Sequence, residues 1–377
     1  MTACFKNGIK PAGEVRLPPS KSEAIRAALL LGACGADPIR AVGDYKGVGL
    51  CDDIRCALEA SRTFMSGRAY VGGSAALLRM LLPIMVMNGG ACVTGEERVL
   101  DRGVGELEDC FRTKAIRNGD TLIMGSTPEL LSMTRFTLDC SRSSQFLSGL
   151  MIALPRMEHD CEIIIKGAPV SKPYAMMTLD FVRRFGGNID ETETGFVTHP
   201  SRYSAPDVIY VTGDLSYAAV FRAMNRLGGK IDILGASPDT LQPDAAFERL
   251  AELDDLDVTD CPDIMPLLAV CACARERDTV IRGTARLRTK ESDREAGVVK
   301  LINDLGGRAE AGEDRVIIHG TGGLGGGFCR TQGDHRLVFA AALAAVISAE
   351  PVVTENAECV SKSAPDFLET ADRLFSK

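Results

Sequence analysis

FRAMNRLGGKIDIL, residues 221–234, reads as an amphipathic helix, a double-glycine stop and a short apolar strand. The same grammar recurs in FVRRFGGNID (181–190) and LINDLGGRAEA (301–311), and more loosely in MLLPIMVMNGGACVTG (80–95). A first glycine suits the left-handed residue that ends a helix, and a second permits a tight entry into the next strand. Helix-then-strand copies spread along the whole chain predict an α/β protein built from one small repeated unit, with no disordered tail. Strand candidates are EIIIKG from Glu162, VIYVTG from Val208, KIDILG from Lys230 and RVIIHG from Arg315. The glycine-rich TGGLGGG (321–327) is expected to be a surface loop, because no GKS or GKT follows it to cradle a phosphate.

A chain of 377 residues is long for one domain, and two are expected. Its net charge of −8 supplies no general basic field, which argues against nucleic acid as a partner. An anionic substrate would need a local concentration of Lys and Arg. No leading segment reads as a signal peptide and no apolar run is long enough for a bilayer, so a cytoplasmic protein without membrane contact is expected. The 13 cysteines are scattered through apolar stretches with no CxxC pair, as expected of small buried hydrophobes in a reducing compartment.

Six segments mix charge and hydroxyl where a purely structural element would not. LPPSKSEAIRAALLL (17–31) places Ser20, Lys21, Ser22 and Arg26 at the mouth of an apolar helix. A helix N-terminus offers unpaired N–H groups and the positive end of a dipole, which suits an anion. SRSSQFLSGLMIALP (141–155) puts Ser143, Ser144 and Gln145 before a second apolar helix, and VSKPYAMMTLDFV (170–182) puts Ser171 and Tyr174 at a third. LRTKESDREAG (287–297) holds Lys290, Glu291 and Arg294, TQGDHRLVFAAALAAV (331–346) holds Asp334, His335 and Arg336, and VSKSAPDFL (360–368) supplies Lys362. Each has a plain alternative as a cap or a solvated charge run. Their recurrence in both halves, on helices too apolar to be solvated all round, points to a pocket for a doubly anionic ligand or for two anionic ligands. No GxSxG elbow is present, the four histidines are far apart, and there is no Walker loop, so hydrolase, zinc and nucleotide chemistries fit poorly.

These motifs, with Pro262-Asp263 before another apolar helix, occur in the order shown by 5-enolpyruvylshikimate-3-phosphate synthases, and over residues 17–367 the chain resembles that family. The resemblance implies a two-domain inside-out α/β barrel, each domain built from three βαβαββ repeats, with the active site in the interdomain cleft. One discontinuous domain would comprise residues 1–18 and 214–377, carrying proton-transfer and phosphoenolpyruvate residues; 19–213 would form the other and hold shikimate 3-phosphate. It further implies transfer of the enolpyruvyl group of phosphoenolpyruvate to the 5-hydroxyl of shikimate 3-phosphate, in the shikimate pathway to chorismate and the aromatic amino acids. No metal and no organic cofactor would be needed, and a monomer is expected.

Carried over by position, Lys21, Ser22, Arg26, Ser143, Ser144, Gln145, Ser171, Tyr174, Asp263 and Lys290 would hold shikimate 3-phosphate, with Arg26 on its carboxylate and Ser144 and Ser171 on its phosphate. Lys21, Ala75, Arg102, Gln145, Arg294, Arg336 and Lys362 would surround phosphoenolpyruvate. The catalytic set would be Lys21, Asp263, Lys290, Glu291, His335 and Lys362, with Asp263 taking the hydroxyl proton and Glu291 exchanging one with the methylene carbon. That division asks for an ionised Asp263 among cations and a Glu291 whose proton affinity is raised by burial.

The chain departs from the pattern in VGGSAALLRML (71–81), where Gly73, Ala75 and Ala76 replace the usual Asn or Glu, Gly and Thr. Gly103 replaces a proline after Arg102, and Tyr217 replaces a serine. Two expectations follow: weaker phosphoenolpyruvate binding, and tolerance of glyphosate because of Ala75. The alternatives are the same chemistry on another acceptor such as a UDP-sugar, or an inactive homologue that only binds shikimate 3-phosphate. The SSQ and SKPY residues argue against the first, and the joint presence of Asp263 and Glu291 against the second.

Overall fold

Three segments fold alike. Residues 68–125, 135–199 and 255–319 each run strand, helix, parallel strand, helix, then an antiparallel hairpin, giving four-stranded sheets with one parallel and two antiparallel pairings. This is a computed structural model, and it describes residues 1–43, 45 and 49–376. A two-stranded parallel sheet pairs Ala12–Arg16 with Lys230–Leu234, and a three-stranded one joins Ala3–Phe5, Val352–Thr354 and Gly327–Cys329. The fold is the two-domain α/β architecture of repeated βαβαββ units.

The double glycines act the same way each time. Gly186, Gly228 and Gly306 take φ of +83°, +102° and +80° just past their helices. The following glycine has no space for a side chain: a Cβ at Gly187 would meet Val182 Cγ1 at 2.4 Å, one at Gly229 the Pro11 carbonyl oxygen at 2.9 Å, and one at Gly307 Leu324 Cδ2 at 2.6 Å. One glycine turns the chain and the next lets the strand lie against its own helix.

The chain divides into two units. One comprises Met1–Pro18, Gly49–Cys51 and Thr212–Lys377, the other Pro19–Val48 and Asp52–Val211. In the first, the helices Leu215–Arg226, Met265–Cys273 and His335–Ala345 pack on one another and are buried almost all round. In the second, Lys21–Ala33, Ala75–Met87 and Gln145–Ala153 are the buried helices. Small residues set the spacing. A Cβ at Gly149 would come within 2.5 Å of the Met80 carbonyl oxygen, so the Gln145 and Ala75 helices approach backbone to backbone there. The outer sheet strands alternate, as in Arg135–Asp139, where Phe136 and Leu138 are buried and their neighbours exposed.

One strand expectation is corrected. VIYVTG forms no strand: Val208 and Tyr210 are 57% and 69% exposed, and among the described residues the stretch makes only an isolated bridge at Gly213. β-branched and aromatic residues favour strands only where a sheet receives them. TGGLGGG is a loop as far as Gly326, and Gly327 opens the Gly327–Cys329 strand. The cysteines are free thiols, most of them buried, and burial pushes the Cys110 and Cys140 thiols up to about 12. Among the described residues no helix is long and apolar enough to cross a membrane, and no three His, Cys, Asp or Glu side chains are grouped to hold a metal.

Candidate active site

In the unit containing residues 19–43 and 52–211, Pro18 and Pro19 lead into Ser20, whose Oγ accepts from the Glu23 N–H and caps the first helix. Lys21 opens that helix, and its ammonium lies 3.0 Å from Asp53 Oδ2. Arg26, one turn on, is 3% exposed. Its Nε donates to Thr178 Oγ1 at 2.7 Å, Nη1 to the Ser22 carbonyl at 2.7 Å, and Nη2 to the Tyr174 carbonyl at 2.9 Å. The Tyr174 ring centroid is 5.9 Å from the guanidinium carbon. Burial pulls the Arg26 guanidinium down to about 10, with Tyr174 and Glu23 working against that shift, so it stays charged at neutral pH.

The serine motifs meet behind it. Ser144 Oγ donates to the Ser171 carbonyl at 3.2 Å, and Ser143 Oγ accepts from the Gln145 N–H. Ser171 has φ +57°, a left-handed conformation unusual for serine, at the entry to the Lys172–Arg184 helix. Strain of this kind persists where surrounding structure enforces it. Gln145 Oε1 accepts from Arg79 Nη1 at 3.2 Å. Lys21, Ser22, Arg26, Ser143, Ser144, Gln145, Ser171 and Tyr174 therefore all belong to this one unit.

The altered loop is in the same unit. Ser74 caps the Ala75–Met87 helix, and Ala75, its first residue, is 5% exposed. A Cβ at Gly73 would stand 2.8 Å from Glu96 Oε1, so a carboxylate from the next segment occupies the space a side chain at 73 would enter. Arg102 precedes Gly103, whose φ of +70° is closed to the proline that the resemblance leads one to expect. That substitution changes the backbone path and not only a side chain.

The other unit assembles the charged motifs around one guanidinium. Arg294, 1% exposed, donates through Nη1 to Asp263 Oδ1 at 2.9 Å, through Nη2 to Glu291 Oε2 at 2.7 Å, and through Nε to Asp334 Oδ2 at 2.9 Å. Arg336 Nη2 donates to Asp263 Oδ2 at 3.0 Å, and Lys362 Nζ lies 3.4 Å from Glu291 Oε1. Three helix entries converge here: Asp263 precedes Met265–Cys273, Asp293 caps Arg294–Asp304, and Asp334 caps His335–Ala345. The run RTKESDR is thus not a solvated helix face.

Electrostatics separate these groups. Burial pushes the Asp263 carboxyl upward, but Arg336, Arg294 and Lys290 outweigh it and hold the group well below the usual carboxylate range. Burial lowers the Lys290 ammonium to about 7; Asp263 resists, while Arg286 and Arg294 add to the fall. Each Glu291 oxygen faces a cation, Oε2 the Arg294 guanidinium and Oε1 the Lys362 ammonium. His335 packs edge-on against Phe339 at 5.9 Å between ring centroids and is 2% exposed.

The sequence leaves one carboxylate and one carboxylate's role unread. Asp53 is the ion-pair partner of Lys21, and its only signal was the acidic pair opening the Asp52–Thr63 helix. Asp334, in the GDHR motif, caps its helix, and its further role as the acceptor of a fork of two hydrogen bonds from Arg294 carries no sequence signal.

The described geometry can bind anions, hold one carboxylate ionised and pair another with cations. The family model for EPSP synthase (3-phosphoshikimate 1-carboxyvinyltransferase) matches residues 6–253 and 247–371. A 3-phosphoshikimate 1-carboxyvinyltransferase of Clostridium kluyveri is 29% identical, over 96% of this chain and 95% of its own. One from Methanospirillum hungatei is 31% identical over 79% of this chain and 77% of its own. Among solved structures, an EPSP synthase of Acinetobacter baumannii superposes with a TM-score of 0.76 at 19% identity, covering 99% of this chain and 98% of that one. The enolpyruvyl transferase NikO from Streptomyces tendae shares the fold at TM-score 0.71 and 15% identity, covering 98% and 96%. On the match of the family model to nearly its whole length, this chain belongs to the EPSP synthase (3-phosphoshikimate 1-carboxyvinyltransferase) family.

Proposed function

We propose that this protein transfers the enolpyruvyl group of phosphoenolpyruvate to the 5-hydroxyl of shikimate 3-phosphate and releases phosphate. Membership of the family supports the reaction, and the observation that carries it on this chain is the Arg294 cluster. It holds an ionised carboxylate, Asp263, and a second carboxylate, Glu291, on one guanidinium. Addition then elimination needs two such groups in different surroundings.

In this reading Asp263 accepts the proton of the 5-hydroxyl as its oxygen bonds to the central carbon of phosphoenolpyruvate. Glu291 delivers a proton to the methylene carbon, which becomes a methyl group. The tetrahedral ketal then collapses: the carbon–oxygen bond to phosphate breaks, Glu291 takes a methyl proton back, and an enol ether remains. The phosphate and carboxylate of phosphoenolpyruvate compete with Glu291 for Arg294 and Lys362, which frees the carboxyl for this exchange. Lys21, Arg102, Arg336 and Gln145 complete the seat of phosphoenolpyruvate, with Ala75 at its wall. Arg26 takes the carboxylate of shikimate 3-phosphate, while Ser22, Ser143, Ser144, Ser171 and Tyr174 take its phosphate and ring hydroxyls. Lys290 holds the acceptor beside Asp263, and His335 supports the Arg336 helix entry. Several cations are required because the two substrates together bring four anionic groups close to one another. We read the protein as a cytoplasmic monomer acting on small molecules alone.

The test is phosphate release from purified protein supplied with both compounds. Release that requires both, and that falls by about 10²–10⁴-fold in Asp263→Asn and Glu291→Gln, is expected. Release with phosphoenolpyruvate alone, or faster release with a UDP-sugar acceptor, would sink this reading.

A further inference from the structure

Arg26 and Arg294 are both buried guanidinium groups, yet they are held in opposite ways. Arg294 donates to three carboxylates. Arg26 donates only to neutral oxygens: the Thr178 and Ser148 hydroxyls and the Ser22 and Tyr174 carbonyls. Among the described residues no carboxylate lies within ion-pair distance of it. Its charge is therefore fixed in place and out of water with no carboxylate in contact, Glu23 attracting it only from beyond ion-pair distance, a state that is costly until an anion arrives.

We propose that Thr178 and Ser148 are positioning residues for Arg26, fixing its guanidinium so that its unspent charge receives the carboxylate of shikimate 3-phosphate. This rests on the role given to Arg26 above. Both hydroxyls are fully buried, at 0% exposure, on two different helices, Lys172–Arg184 and Gln145–Ala153. Thr178 Oγ1 takes the Nε proton at 2.7 Å and lies 2.8 Å from Ser148 Oγ and 3.0 Å from the Tyr174 carbonyl. Ser148 Oγ in turn accepts from Nη2 at 3.3 Å. Four of the five N–H groups of a guanidinium are thus committed, and the one remaining is on Nη1. A hydroxyl orients the group without neutralising it. An Asp or Glu at either position would spend the charge internally, as Asp334 does for Arg294. The pair therefore serves orientation and charge preservation together, and the substrate carboxylate is met by one hydrogen bond and a whole charge instead of a two-pronged fork.

The experiment compares binding of shikimate 3-phosphate with binding of the analogue whose carboxylate is a hydroxymethyl group, by calorimetry on the full-length protein. Thr178→Val is expected to weaken shikimate 3-phosphate about tenfold, the consequence of one buried charge-assisted donor losing its acceptor. It should leave the analogue and the KM for phosphoenolpyruvate within about twofold, and Thr178→Ser should restore binding to within about threefold. Ser148→Ala, which removes the longer bond, should show the same selectivity at about threefold and serves if Thr178→Val does not fold. Equal weakening of substrate and analogue, or no weakening of either, in whichever variant folds overturns the positioning role. Arg26→Met separates the two levels of the argument. If it weakens substrate and analogue alike, Arg26 does not meet the carboxylate and the reading beneath fails. If it weakens only the substrate while the hydroxyl variants are unselective, the reading stands and the inference falls.

Discussion

A lysine whose ammonium loses its proton near neutrality is conspicuous beside an aspartate held ionised far below that range. Lys290 is at about 7 because burial and two arginines outweigh the attraction of Asp263 and Glu291. It is charged below that pH and neutral above it, so its hold on the acceptor and on Asp263 fades as pH rises. We expect kcat/KM for shikimate 3-phosphate to fall above an apparent pKa near 7, because that parameter reports the free enzyme. The corresponding limb in kcat should lie at higher pH, since bound anions favour the ammonium. Lys290→Arg keeps the charge at every accessible pH and should abolish the limb; a limb unchanged in that variant assigns it elsewhere. Ala75 gives a second prediction at this scale. Its methyl group stands at the first turn of a buried helix, where the sequence resemblance leads one to expect glycine, and we propose that it narrows the phosphoenolpyruvate seat against glyphosate. Ala75→Gly should lower the glyphosate concentration for half inhibition by about tenfold or more, because one misplaced methyl in a packed pocket costs about 1–3 kcal/mol. An inhibition titration that finds no shift would remove that explanation.

Helix entries do most of the positioning, and they differ in how far a sequence exposes them. The double-glycine stops were legible because local backbone chemistry decides them, and Gly186, Gly228 and Gly306 adopt the same left-handed turn. The motifs LPPSKS, SSQFLSGL and SKPY were legible as helix entries for the same reason, since Ser20 and Ser144 stand immediately before their helices. VIYVTG misled, because strand propensity carries no information about whether a sheet has a place for it. The burial of Arg294 was also invisible: a Lys/Arg/Glu/Asp run reads as solvated until tertiary contacts bring Asp263 and Asp334 to it. So was the joint use of Asp334, whose Oδ1 accepts both from the Arg336 N–H at 2.9 Å and from Arg294 at 3.2 Å. That sharing makes a specific prediction. Asp334→Ala should destabilise the protein by about 3–5 kcal/mol, because it removes a cap and breaks a buried ion pair at once. Asp334→Asn can keep the cap through its amide oxygen while losing the charge and the acceptor for Arg294 Nε, so it should cost less. Urea denaturation of both variants checks the order, and equal costs would show that the cap contributes little.

Across the whole molecule, the residues assigned to the acceptor and those assigned to proton transfer are sorted by unit. Ser22, Arg26, Ser144, Ser171 and Tyr174 belong to the unit holding residues 52–211, while Asp263, Glu291, Arg294 and Arg336 belong to the one holding 212–377. Each unit has its own set of buried helices, so each has its own local stability. A ligand that contacts one set should deepen protection there, by about 2.7 kcal/mol when present at 100 times its dissociation constant. Hydrogen exchange followed by mass spectrometry can resolve this by segment. Shikimate 3-phosphate alone is expected to slow exchange in the helices Lys21–Ala33, Gln145–Ala153 and Lys172–Arg184. Adding phosphoenolpyruvate should then slow Arg294–Asp304 and the first turn of His335–Ala345. Since the net charge of −8 repels both compounds at long range, the local cations must supply the attraction, and protection should weaken as salt screens the more exposed of them. If shikimate 3-phosphate alone protected the Arg294 helix and left Lys21–Ala33 unchanged, the sorting of roles would be reversed. Arg26 would then have to be reassigned as a structural cation.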